Sequence, residues 1–281
     1  MAELTTVSEN KAFGGVQGVY THASAETTCD MTFAAYVPDH QPGANLPVLW
    51  FLSGLTCTHA NVMEKGEYRA ACARHGIIFV APDTSPRGEN VPDAEGEYDF
   101  GKGAGFYLDA VREPWAANYR MRSYIERELP DLIAANFPAD MERQGIMGHS
   151  MGGHGALTTA LRNPGRFKSV SAFAPIANPS AVPWGQKAFS RYLGEDPDAW
   201  AEYDAVRLIE GGADVDRLLV DQGTADQFLG EQLAIPALRS ACQNAGIAAE
   251  IRMKDGYDHS YFTISTFMAE HVDWHAEYIG L

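Results

Sequence analysis

The 281-residue sequence predicts an α/β fold, a mainly parallel sheet with helices on both faces. Apolar runs of strand length alternate along the chain with segments of helical pattern, as in repeated strand–helix–strand crossovers. Several of these runs are continuously apolar, which suits parallel strands buried on both faces. A third observation sharpens the class. The pentapeptide Gly148-His149-Ser150-Met151-Gly152 stands where a strand-like run hands over to a small-residue, helix-compatible one.

Strands are expected at 31–37 (MTFAAYV), 48–52 (VLWFL), 77–81 (IIFVA), 145–149 (GIMGH), 170–174 (VSAFA), 218–220 (LLV) and 249–253 (AEIRM). Helical patterns lie at 68–74, 119–135, 151–161, 232–245 and 261–278. Segments 61–68 and 87–118 are glycine-rich and irregular, and loops of such length in a compact domain usually serve a site. No internal repeat, low-complexity tract or linker divides the chain, so residues 1–281 read as a single catalytic domain.

Composition excludes several functions. With 21 Lys+Arg against 37 Asp+Glu the formal charge is −16, the opposite of a nucleic-acid footprint and unsuited to anionic membranes. The first residues, MAELTTVSENKAFGG, lack the apolar core of a signal peptide, and no run approaches the ~18 apolar residues that span a bilayer. Cys29, Cys57, Cys72 and Cys242 are widely spaced, so reduced thiols and a cytoplasmic location are expected.

The G-x-S-x-G motif is the nucleophile elbow of the α/β-hydrolase fold, a tight strand-to-helix turn that lifts the serine above the sheet. A serine hydroxyl needs a base within hydrogen-bond reach and a group that orients the base. In this fold they follow in the order serine, acid, histidine. His259 comes through a turn after the strand at 249–253 and opens the last helix, which makes it the candidate base. The acid belongs on the loop after the preceding strand, where Asp226 lies past a Gly-Thr turn. Asp221, at the strand's edge, is the reserve and is read as a local structural carboxylate, while Asp258 is too close in sequence to reach the ring's Nδ1. Backbone N–H groups of Met151, directly after the serine, and of Leu55, in the turn after the strand at 48–52, are the expected oxyanion donors.

Beyond these residues, the stretches LSGLTCT (52–58), FGKGAGFYLDA (100–110), EPWAANYRMRSYI (113–125), GHSMGGHGAL (148–157), FAPIANP (173–179), PWGQKAF (183–189), DQGTADQFL (221–229) and GYDHSYFTI (256–264) carry a resemblance. The sequence resembles the S-formylglutathione hydrolase (esterase D) family. The resemblance implies an α/β-hydrolase fold, a triad at Ser150, Asp226 and His259, and oxyanion donors at Leu55 and Met151. It also implies that Cys57 lines the site and gives sensitivity to thiol reagents; the alternative for this residue is a small buried hydrophobe.

Phe106, Trp115 and Trp184, with Tyr107, are candidates to wall a small acyl pocket. His149 and His154 are expected to pack or hydrogen-bond beside the elbow. His271 and His275 lie four apart on the last helix, but no H-E-x-x-H glutamate accompanies them, so no metal is expected. The reading is a serine thioesterase that cleaves S-formylglutathione to glutathione and formate in formaldehyde detoxification, without cofactor. Its partners are small molecules, and a homo-oligomer is left open. Lys65, Lys102 and Arg120 are the candidate local contacts for the thiol's charged groups. The alternatives are a general short-chain carboxylesterase or acyltransferase, and a non-catalytic binding protein on the same fold.

Overall fold

A computed structural model describes residues 3–280. Its centre is one nine-stranded sheet in the order β1-β2-β3-β5-β4-β6-β7-β8-β9. The strands are β1 (Thr5–Ala12), β2 (Gly15–Ala23), β3 (Asp30–Val37), β4 (Leu46–Leu52), β5 (Ile78–Pro82), β6 (Ala139–His149), β7 (Phe167–Phe173), β8 (Leu218–Gly223) and β9 (Ala249–Lys254). From β5 onward through β4 to β9 every pairing is parallel; β1, β2 and β3 join antiparallel. The mainly parallel sheet of an α/β-hydrolase is present, with an antiparallel wing at its N-terminal edge.

The helices are α1 (His59–Lys65), α2 (Arg69–His75), α3 (Met121–Ser123), α4 (Leu129–Asn136), α5 (Met151–Arg162), α6 (Pro183–Tyr192), α7 (Pro197–Ala201), α8 (Ala205–Glu210), α9 (Ile235–Ala245) and α10 (Tyr261–Ile279). A π-helical turn, Tyr124–Glu128, joins α3 to α4, so the helix expected over 119–135 is one interrupted stretch. Side-chain alternation along β4 explains why its run is uniformly apolar. Leu49 and Phe51 enter a core with Val62, Cys72, Met268 and Val272 of α1, α2 and α10. Val48, Trp50 and Leu52 enter a larger core on the other face with Leu157 of α5 and Leu238 of α9. Both faces are dry, so neither register of the strand tolerates a polar residue.

Three differences from the sequence reading have physical causes. β1 and β2 carry no apolar run. β1 is an exposed edge strand held by its ladder to β2, so it gains little from side-chain burial. α1 occupies much of the segment expected to be irregular, because the Thr58 hydroxyl accepts from Ala60 N–H and Asn61 reciprocates to the Thr58 N–H, a capping box. α6, α7 and α8 start at Pro183, Pro197 and Ala205, two of them after a proline in the first turn, and present too little periodic pattern to be read.

Candidate active site

Ser150 sits between β6 and α5 with φ 57° and ψ −118°, outside the regions that ordinary residues occupy. The turn closes only because its flanking positions lack side chains. A Cβ on Gly152 would lie 1.9 Å from the Leu52 carbonyl oxygen, and one on Gly148 2.1 Å from the Gly152 carbonyl oxygen. The strained serine is held at both backbone groups: its N–H donates to Phe173 O (2.9 Å) and its carbonyl accepts from Ile176 N–H (3.2 Å).

The exits of β8 and β9 are stitched together before they deliver their side chains. Thr224 N–H donates to Lys254 O (3.0 Å) and Ala225 N–H to Tyr257 O (2.9 Å). That brings Asp226 to His259, with Oδ2 2.6 Å from Nδ1. Asp226 is fixed from two other sides, Oδ2 accepting from Gln222 Nε2 (3.0 Å) and Oδ1 from Phe228 N–H (2.8 Å). Burial raises the Asp226 carboxyl, but the His259 hydrogen bond and charge outweigh it and hold the group below its ordinary value, hence ionised. Nδ1 is committed to Asp226, which leaves Nε2 for the Ser150 hydroxyl. The two share one cavity without a direct hydrogen bond, a contact that commonly tightens only when substrate is bound.

The turn after β4 lies against this pair: a Cβ on Gly54 would stand 3.1 Å from Ser150 Cβ and 3.2 Å from His149 Nδ1. Several of its polar groups are taken. Thr56 N–H donates to Gly103 O (2.9 Å), Tyr107 Oη to Ser53 O (2.8 Å) and Thr84 Oγ1 to Cys57 O (2.5 Å). Among the described residues the Leu55 N–H has no protein acceptor, and Met151, the first residue of α5, has an N–H without an intrahelical partner. The long segment after β5 therefore braces the turn that offers Leu55.

A cavity of about 190 Å³ opens here, lined by Leu55, Cys57, Tyr98, His149, Ser150, Trp184, Phe228 and His259 among others. The family model described as "Putative esterase" matches residues 24–278. An S-formylglutathione hydrolase from Paracoccus denitrificans is 52% identical over 98% of this chain and 98% of its own length. One from Mus musculus is 50% identical over 99% of each. A solved S-formylglutathione hydrolase structure from Agrobacterium tumefaciens, 55% identical, superposes with a TM-score of 0.97 over 98% of this chain and 99% of that one. The chain belongs to the S-formylglutathione hydrolase family.

Trp184 lines the cavity, packing on Phe228 with ring centroids 4.6 Å apart. Phe106 and Trp115 do not. Phe106 is fully buried against His154 and Phe189, and Trp115 packs edge-on to Phe100 and Tyr119. Tyr107 is also buried and serves the site only through its hydroxyl on Ser53 O. Aromatic residues in a glycine-rich loop can either line a site or anchor the loop, and these three anchor it. Tyr98 and Phe228 take the wall positions instead. Tyr98 had no distinguishing sequence signal, whereas Phe228 lies two residues after the proposed acid.

Asp221 is tied to Arg252 (Oδ2 to NH2 2.8 Å), with Lys254 and His271 at 3.4 and 3.3 Å. These contacts tie β8 to β9 and α10. Asp258 accepts from Ser260 N–H and Oγ, and Ser260 in turn caps α10 by accepting from Phe262 N–H. His154 lies 2.9 Å from Phe106 O, and His275 sits between Ser169 and Ser171. His149 stacks obliquely on His259, ring centroids 4.5 Å apart, and burial followed by the His259 charge pushes it well below the usual imidazole range. Among the described residues no group of three His, Cys, Asp or Glu side chains could hold a metal, and no helix is long and apolar enough to cross a membrane. Arg120 pairs with Glu26 and Lys102 Nζ donates to Gly88 O, so neither faces the cavity; Lys65 lines a groove beside it.

Proposed function

We propose that this protein hydrolyses S-formylglutathione to glutathione and formate, as a single catalytic domain with Ser150, His259 and Asp226 as its triad. The observation that carries this reading is the meeting of the Ser150 elbow and the Asp226–His259 pair in one cavity of about 190 Å³, within a chain of this family. Such a space is below the range of drug-sized sites and suits a one- or two-carbon acyl group.

Ser150 Oγ attacks the formyl carbon as His259 Nε2 takes its proton. Asp226 holds the tautomer and stabilises the imidazolium. The Leu55 and Met151 N–H groups receive the oxyanion. The C–S bond breaks, the glutathione sulfur leaves with the proton from His259, and the formyl group remains on Ser150. Water then attacks with His259 as base, and formate departs as the serine is reprotonated. A thiolate leaves readily, so deacylation is the step that limits the rate. The free cysteines and the acidic surface support a cytoplasmic setting.

Steady-state kinetics on S-formylglutathione beside a simple acetate ester test the reading. The expected kcat/KM ratio is at least about 10, or ~1.4 kcal/mol. Equal efficiency favours a general short-chain esterase. Ser150→Ala is expected to fold normally, lose roughly 10⁶-fold in turnover and escape labelling by a fluorophosphonate. Substantial hydrolysis by that variant overturns the serine mechanism.

A further inference from the structure

A groove of about 550 Å³ beside the acyl cavity takes no part in the steps above; Lys65, Glu67, Ser260, Tyr261, Phe262 and Ser265 line it. Tyr261, which lines the groove, also reaches the wall of the acyl cavity. The Tyr261 ring lies 6.1 Å from the His149 ring, and its hydroxyl sits beside Ser53 and Cys57. Ser260 directly follows His259, so the groove begins one residue from the proposed base.

Its charges are unusual. Lys65 ends α1 and Glu67 follows Gly66, both exposed, of opposite sign and two positions apart. Neither makes an ion pair or side-chain hydrogen bond among the described residues, although the pair lines one space. Glu67 has φ +54°, a left-handed conformation that is costly for a glutamate. Phe262 stands at the same groove 83% exposed, an apolar ring that the chain leaves uncovered.

We propose that this groove is the subsite for the γ-glutamyl head of the glutathione thioester, Lys65 receiving its α-carboxylate and Glu67 its α-ammonium. The inference rests on the reaction proposed above. The head carries both charges on one carbon, whereas the glycyl end carries a carboxylate alone, so an unpaired cation and anion match the head. The glutamyl α-carbon is about seven bonds from the thioester sulfur, so the head must settle close to the formyl carbon. A groove whose Tyr261 reaches the wall of the acyl cavity at His149 meets that limit. Tyr261 and Phe262 offer apolar surface to the peptide planes, and Ser260 and Ser265 offer hydroxyls to their polar groups.

The test measures kcat/KM for wild type, Lys65→Met and Glu67→Gln on S-formylglutathione, on its N-acetylated form and on an uncharged aryl acetate. Each variant is expected to lower the S-formylglutathione to aryl acetate ratio about 10-fold, through KM. N-acetylation removes the ammonium, so the effect of Glu67→Gln disappears on that substrate and that of Lys65→Met persists. A wild type that prefers S-formylglutathione, with both variants keeping the preference, overturns the subsite and leaves the reaction standing. A wild type with no preference overturns the reaction and the subsite together.

Discussion

Asp221 lies within β8 against Arg252, Lys254 and His271, whereas Asp226, past the turn that follows the strand, meets His259, Gln222 and the Phe228 N–H. Their substitution by asparagine should separate chemistry from stability. Asp226→Asn should lower kcat on the order of 10⁴-fold by favouring the wrong imidazole tautomer, with thermal stability close to wild type. Asp221→Asn should leave turnover nearly intact and cost on the order of 2 kcal/mol at neutral pH. The sign follows from its carboxyl. Burial raises it, but hydrogen bonds from His271 and Arg252 and their charges bring it down to about 2. Its contribution is therefore full above the ordinary carboxylate range and is lost as pH falls toward 2. Turnover and urea unfolding of the two variants decide the matter, and a crippled Asp221→Asn beside an active Asp226→Asn reverses the assignment. Cys57 lines the cavity with its thiol pushed up by burial, so little thiolate is present at neutral pH. Alkylation should inactivate the wild type slowly, faster as pH rises, because an adduct fills the acyl space. Cys57→Ser should keep most of its activity and resist the reagent; a folded but inactive variant shows a role beyond proximity.

At the scale of elements, β6, the elbow and α5 behave as one unit. The glycines on either side of Ser150 let α5 begin against the end of β4, and Gly152→Ala would press a methyl group into the Leu52 carbonyl. The expected cost is ~3 kcal/mol or more, read as a lower urea midpoint and a loss of fluorophosphonate labelling. A Gly152→Ala protein as stable and reactive as wild type contradicts the geometry. This unit was legible in the sequence because close approach leaves glycine as the only solution. The sheet's parallel strands were legible because burial on both faces demands unbroken apolar runs. β1 was not, since TTVSENKA is exposed and held by backbone bonds that any sequence can make. α6 was not, because its proline start and short amphipathic face resemble a loop.

Across the described residues, His154, His271 and His275 are fully buried and His149, at the cavity wall, is nearly so. Burial pushes His149 and His275 well below the usual imidazole range, His154 to about 4, and His271 lower as well. The unfolded chain protonates all of them near an ordinary histidine value, so below about pH 6.5 it binds more protons than the folded chain. Stability then falls with acidification by up to about 1.4 kcal/mol per pH unit for each group. Four such groups consume a typical folding stability within roughly two pH units. Circular dichroism against pH should show cooperative unfolding while most surface carboxylates are still charged. A fold unchanged from pH 7 down to about 4 contradicts this account.

The amino-acid sequence carries whatever depends on local geometry or uniform burial: the elbow around Ser150, the parallel core strands, and the candidate order serine, acid, histidine along the chain. It also ranked Asp226 above Asp221, since the length of the turn after β8 decides which carboxylate can leave the sheet. The choice of cavity wall was made only by the tertiary structure. Phe106, Trp115 and Tyr98 lie in one long irregular segment and Trp184 in the first turn of α6, and their side chains are sorted into core and cavity by packing between segments distant in the chain. The same holds for Lys65 and Glu67, whose groove exists because the turn after α1 meets the start of α10. Local chemistry is written residue by residue, whereas a concave surface is made by the distance between elements, which no single stretch of sequence carries.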